Sequence, residues 1–225
     1  MSEELVLLWP RWYQQQQGIT GDVDTLWRHA REQAAAPNPW FDPERYGDLN
    51  PDVVASGEDP IPHYTRQGWR EGRAVGSDLN GLEAYSRDEQ RLLDWLVWPD
   101  WYVGQLPPAW RAGLEPAEAV EHYLRLGVMA GLDPNPLFKT VFYGERYPDL
   151  LEAGCDLLLH FLRYGCLERR SCHPDLIWQP NEMQQWFEGQ LVPGWPPPAP
   201  ELGRWQQQLT LEAWAIQLAP SSGGS

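Results

Sequence analysis

Apolar residues in this chain come in short clusters divided by proline and glycine, not in long periodic runs. The cluster "DLLLHFLRYG" at 156–165 is apolar nearly all round, which predicts a short central helix. "EPAEAVEHYLRLG" at 115–127 predicts a helix that opens at Glu115-Pro116 and stops at Gly127. Around residue 42 the pattern predicts three pieces. Asp42-Pro43 is an N-cap followed by a favourable first helical residue. Pro51-Asp52 breaks that helix and starts a second short one ending at Gly57. Asp59-Pro60 then opens a longer helix through His63 and Arg66, with Gly68 placed to end it in the left-handed conformation. Asn80 to Leu96, "NGLEAYSRDEQRLLDWL", predicts one amphipathic helix of a different character.

The same cluster order recurs. Asn38–Arg73 aligns with Asn135–Arg170 at an offset of 97 over 36 positions without a gap, and 14 positions are identical. Among them are Tyr46, His63, Arg66, Gly68, Glu71 and Arg73 and their counterparts. Two weaker copies start at "WPRWY" (Trp9–Tyr13) and "WPDWY" (Trp98–Tyr102). His29 and His122 follow their Tyr by 16 and 20 residues, against 17 in the strong copies. The third copy keeps Gly127 and Gly131, whereas the first has no Gly pair and suits an end cap. The units run approximately 5–37, 38–76, 94–134 and 135–173, with 80–96 inserted. The expectation is an all-α fold of tandem short-helix repeats stacked in an array over 1–175. Residues 176–225 follow as a second region: a Pro-rich linker, "VPGWPPPAP", and a terminal amphipathic helix. In each unit the Glu and Arg pair across a turn, and the aromatic after His packs inward.

Composition agrees with helices. Leu dominates the aliphatics and only four Ile occur, a balance that leans away from strands. The net charge of −15 argues against nucleic acid and anionic membranes as partners. Three Cys, an acidic N-terminus and no apolar run of membrane length point to a cytoplasmic protein with reduced thiols.

The unit Phe-Asp…Tyr…Pro-Asp-Val…Gly…Pro…His-Tyr…Gly-x-x-Glu-Gly-Arg resembles short repeats found in bacterial proteins beside glycosyltransferase and other surface-polysaccharide modules. A similar unit occurs in some large secreted calcium-binding proteins. The match is close at 38–73, good at 135–170 and partial elsewhere; Arg169 stands where the pattern has Gly. The resemblance implies an accessory, non-catalytic segment.

Candidate chemistry is sparse. Four aligned His, at 29, 63, 122 and 160, suit a fold role in which a ring nitrogen bonds a neighbouring backbone carbonyl. Cys166, Cys172 and His173 do not have zinc spacing, and incidental thiols are the better reading beside Cys155. Asp22-Val23-Asp24 fits the Asp-x-Asp motif by which glycosyltransferases hold a metal and a sugar nucleotide, but helix capping explains both acids. Trp12, Trp69, Trp101, Trp195 and Trp205 could line a glycan groove or anchor a partner. Trp12 and Trp101 share a repeat position that favours packing, and Trp69, Trp195 and Trp205 are the candidates for partner binding. No cofactor or metal site is expected. The first expectation is therefore a non-catalytic scaffold that binds another protein, with a glycosyltransferase module as the candidate partner. Behind it stand a glycan-binding module and, last, a glycosyltransferase using Asp22 and Asp24.

Overall fold

The computed structural model describes residues 6–174, apart from 78, 80, 137, 166, 167 and 169. The tail over 176–225, with Trp195 and Trp205, lies outside the described residues, as do Cys166 and Arg169. Among the described residues every regular element is helical, and one isolated bridge, Asn38 to Phe41, is the sole extended pairing.

Each complete copy is built from three pieces. In the second copy these are α3 (Pro43–Leu49), α4 (Pro51–Ser56) and α5 (Pro60–His63), which runs on as a π-helical turn over Tyr64–Gly68. The fourth copy repeats this as α10 (Thr140–Arg146), α11 (Pro148–Glu152) and α12 (Leu157–His160), with a π turn at Phe161–Gly165. The third has α7 (Pro99–Gly104), α8 (Pro108–Arg111) and α9 (Ala119–His122), with a π turn at Tyr123–Gly127. The first has only α1 (Pro10–Gln17) and α2 (Val23–Glu32). Local signals place these starts. Asp42 caps α3 by accepting the Glu44 and Arg45 N–H groups, Asp59 caps α5 and Asp156 caps α12. Proline occupies the first turn of six of the seven elements α1, α3, α4, α5, α7, α8 and α10, where its missing N–H costs no helical bond.

The predicted stop at Gly68 is wrong. Trp69 continues in helical conformation, and the left-handed residue is Gly72, at φ 65°. Arg73 N–H bonds Gly68 O at 2.9 Å and Gly72 N–H bonds Trp69 O at 3.3 Å, a Schellman ending. Gly131 ends the third copy in the same way, at φ 66°. Gly68 has another task, a close approach to a tyrosine hydroxyl described below.

The inserted segment also differs from the single predicted helix. A 3₁₀ turn at Leu82–Ala84 precedes α6 (Arg87–Leu96), which begins at a capping box made by Ser86 and Glu89.

The copies do not form a row in which each touches only its neighbours. Trp9 of the first copy donates its indole N–H to Val128 O of the third at 3.0 Å, and Arg11 pairs with Glu145 of the fourth at 3.0 Å. A Cβ on Gly144 would meet the Trp9 ring at 2.6 Å. Trp40 donates to Cys155 O in the fourth copy. The first copy is thus not an end cap; it fills space against the third and fourth. All four copies contribute to one continuous core, from Leu7 and Tyr13 to Leu157 and Phe161. Each of the first, third and fourth copies is closed by a backbone bond from its start to its end: Trp9 to Pro37, Trp98 to Pro134, and Lys139 to Cys172. Buried Asn38 and Asn135 fasten the junctions by donating to Leu7 O and Leu96 O. No helix among the described residues is long and apolar enough to cross a membrane.

Candidate functional site

The repeated residues converge on one contact inside every copy. Tyr13, Tyr46, Tyr102 and Tyr143 are hydrogen-bonded through their hydroxyls to Nδ1 of His29, His63, His122 and His160, at 2.7, 2.8, 2.5 and 3.0 Å. The partner of each imidazole is therefore a tyrosine, not the backbone carbonyl expected. A Tyr 16 to 20 residues before the His in every copy was the signal for it. The Gly of the signature completes the set. A Cβ at Gly68 would lie 2.5 Å from Tyr46 Oη, and one at Gly127 2.6 Å from Tyr102 Oη; Gly165 meets Tyr143 Oη in the same way. The aromatic after His packs inward, with Tyr64, Tyr123 and Phe161 all buried. Glu71 and Arg73 pair at 2.7 Å, and Glu168 and Arg170 at 2.6 Å.

Burial shifts the protonation of two of these imidazoles. Desolvation pushes the His122 pKa down to about 3, helped by the Arg70 charge, so its ring is neutral at neutral pH. His160 shifts the same way, also mainly by burial. The phenols of Tyr46 and Tyr102 are raised by desolvation. At His122 a neutral imidazole bonded to a phenol that does not ionise makes a structural pair, not a base poised near neutrality.

A cleft of about 690 Å³ opens between the second and third copies. That volume lies within the roughly 300–1,000 Å³ usual for ligand sites. Its walls are Pro62, Thr65, Trp69, Trp110, Leu114 and His122, with three guanidinium groups from Arg31, Arg66 and Arg70. Trp69 is buried, packs edge-on against His122 at 4.8 Å, and carries the Arg70 guanidinium over its ring at 4.5 Å. Its indole N–H is buried with no acceptor. Arg31 is held by Asp59 at 2.5 Å, and Arg70 by Glu118 at 3.2 Å and Gly113 O at 2.6 Å. Trp69 is thus a cleft wall and not a protruding anchor.

The remaining candidates separate. Asp22 is the N-cap of α2 and accepts the Thr25 N–H at 2.9 Å, a bond that lowers its pKa. Asp24 sits exposed in the first turn, where the helix dipole favours its charge, and caps nothing. Among the described residues no strand precedes them, and no cluster of three or more His, Cys, Asp or Glu could hold a metal. Trp12 is partly buried against the core, but Trp101 at the equivalent position is 42% exposed beneath Lys139. Cys155 is half-buried and Cys172 buried. Of the cleft arginines, Arg66 belongs to the repeat, as an Arg three residues after His in three of the four copies, whereas Arg31 and Arg70 were not singled out in the sequence.

No protein-family model, curated protein or solved structure matches this chain.

Proposed function

We propose that the chain is a non-catalytic helical-repeat module that docks another protein, accessory to the assembly of bacterial cell-surface glycans. One observation carries the reading: the residues that repeat are those used to fold. Tyr and His lock each copy internally, Gly fits against the Tyr in the second, third and fourth, and Glu and Arg tie the last turn of the second and fourth. The cleft is lined by cationic and aromatic side chains. The context of glycan assembly rests on the resemblance of the repeat alone.

The test is reconstitution. Purified chain and a partner recovered from the native host should form a complex of fixed stoichiometry. Absence of any such complex, or Mn²⁺-dependent turnover of a sugar nucleotide abolished by Asp22→Ala with Asp24→Ala, would overturn the reading. A glycan-binding module is the second reading, favoured by the indole walls of Trp69 and Trp110. It requires saturable quenching of Trp fluorescence by a polysaccharide.

A further inference from the structure

We propose that the cleft between the second and third copies takes an acidic peptide segment of the partner protein, with a Glu or Asp side chain seated on Arg66. This rests on the docking reading and names the chemistry of what docks.

The argument is internal to the molecule. Arg66, Arg125 and Arg163 occupy the same place in three copies, three residues after His63, His122 and His160. In the third copy, Glu83 of the inserted segment binds Arg125 Nη2 at 2.8 Å, and Glu121 takes the Nε side. In the fourth, Glu89 of the same segment binds Arg163 Nε at 2.8 Å. The segment is held by its backbone as well. Leu82 donates its N–H to Glu121 at 2.8 Å, and Arg163 reaches Ala84 O at 3.4 Å. Tyr85 enters the core beside Glu83 and bonds Asp156. Seen from the repeats, the segment over 81–96 is an acidic peptide laid across two of three equivalent arginines.

The third arginine has no such cover. Arg66 is exposed and makes no hydrogen bond or ion pair among the described residues. It faces the cleft, where Arg31 and Arg70 already have Asp59 and Glu118. The uncompensated charge there is positive. Pro62, Trp69, Trp110 and Leu114 offer an apolar wall for a neighbour of the acid, as the core does for Tyr85. A guanidinium takes a carboxylate through paired N–H donors. The net charge of −15 repels an acidic segment at long range, but salt screens that repulsion beyond about 8 Å and leaves the contact intact.

The probe is a dye-labelled synthetic peptide of residues 80–96, titrated by fluorescence polarisation into the full chain. The expected result is saturable binding, weakened about tenfold or more by Arg66→Gln in the protein, as for loss of a charge-assisted bond. The same loss is expected when the peptide carries Glu83→Gln and Glu89→Gln. Arg66 is exposed, so the variant keeps its fold, checked by an unchanged circular dichroism spectrum. No binding, or binding indifferent to Arg66→Gln, overturns the proposal. So does Arg66-dependent binding of glucuronate or glucose 1-phosphate without the peptide, which would assign the cleft to a small anion. A reconstituted partner complex unaffected by Arg66→Gln sinks this inference and leaves the docking reading standing; failure of that complex to form sinks the docking reading itself.

Discussion

Gly165→Ala should destabilise the wild-type chain and stabilise the Tyr143→Phe chain. In a helical backbone, replacing Gly with Ala ordinarily gains about 1 kcal/mol, because Ala loses less freedom on folding. Gly165 has no left-handed φ to forbid it. The obstacle is one atom. A Cβ there falls on Tyr143 Oη, while the next neighbours, Phe161 Cδ2 and Tyr143 Cζ, stand at 3.2 and 3.3 Å and need to move only by tenths of an ångström. Tyr143 is fixed by its bond to His160 and by Phe138, Tyr147 and Phe161, so it cannot easily swing away. Overpacking of this kind costs about 1–3 kcal/mol. Tyr143→Phe alone loses the 3.0 Å bond to half-buried His160, worth about 0.5–1.5 kcal/mol. It also removes the clashing oxygen. The double variant should therefore be more stable than Tyr143→Phe by up to about 1 kcal/mol, a coupling of roughly 1–3 kcal/mol across the cycle. Urea unfolding followed by Trp fluorescence and circular dichroism measures all four species. Additive costs, or a stable Gly165→Ala single variant, would refute the claim that hydroxyl and glycine are fitted to one another.

Other outcomes follow from the same contacts. His122 has a depressed folded-state pKa of about 3, so the unfolded chain takes up its proton first. Stability should be flat above about pH 6.5 and fall by up to about 1.4 kcal/mol per pH unit from there towards pH 3. His122→Gln should reduce that slope in urea titrations run at stepped pH, and an unchanged slope would count against a buried neutral ring. Asn38 donates to Leu7 O and accepts from the Trp40 and Phe41 N–H groups while almost wholly buried. Asn38→Ala orphans all three and should cost on the order of 3 kcal/mol in the same assay, with a cost below about 1 kcal/mol contradicting the geometry. Trp9 and Trp69 are both buried, but only Trp9 has an acceptor for its indole, Val128 O. Trp9→Phe should therefore cost about 1 kcal/mol more than Trp69→Phe, and the reverse order would show that the Trp69 donor has a partner.

What was legible in the sequence was local. Asp42-Pro43 and Asp59-Pro60 marked helix starts, because a cap and its first turn involve neighbours only. The Glu71–Arg73 pair was legible for the same reason. Gly68 was misread because a local rule, glycine after a helix, was applied to a residue shaped by Tyr46, 22 positions earlier. The histidines were assigned a structural role but the wrong partner, although the Tyr that precedes each by 16 to 20 residues carried the answer. The arrangement of copies was not readable at all, since it depends on contacts such as Trp9 to Val128 that span 119 residues. The exposure of the tryptophans failed likewise. Trp12 and Trp101 share a repeat position, yet one packs against the core and the other stands out beneath Lys139. Equivalent sequence places give equivalent internal contacts, and what covers their outer faces depends on which copy lies next door.

The arginines show where that distinction matters for function. A signature residue that points inward, such as Tyr46 or His63, meets the same partner in every copy because its surroundings are part of the repeat. A signature residue that points outward meets whatever the insertion and the neighbouring copies supply. Arg125 and Arg163 meet Glu83 and Glu89, and their charges are compensated within the chain. Arg66 meets the cleft. Had the repeated Arg been kept only to hold its own copy together, it would find a carboxylate within that copy each time, as Arg73 and Arg170 do. Instead Arg163 takes its carboxylate from outside the repeat, and Arg125 adds Glu83 from there to Glu121 of its own copy. The position is filled twice from within the chain, and the docking proposal places an acid from another source on its third occurrence.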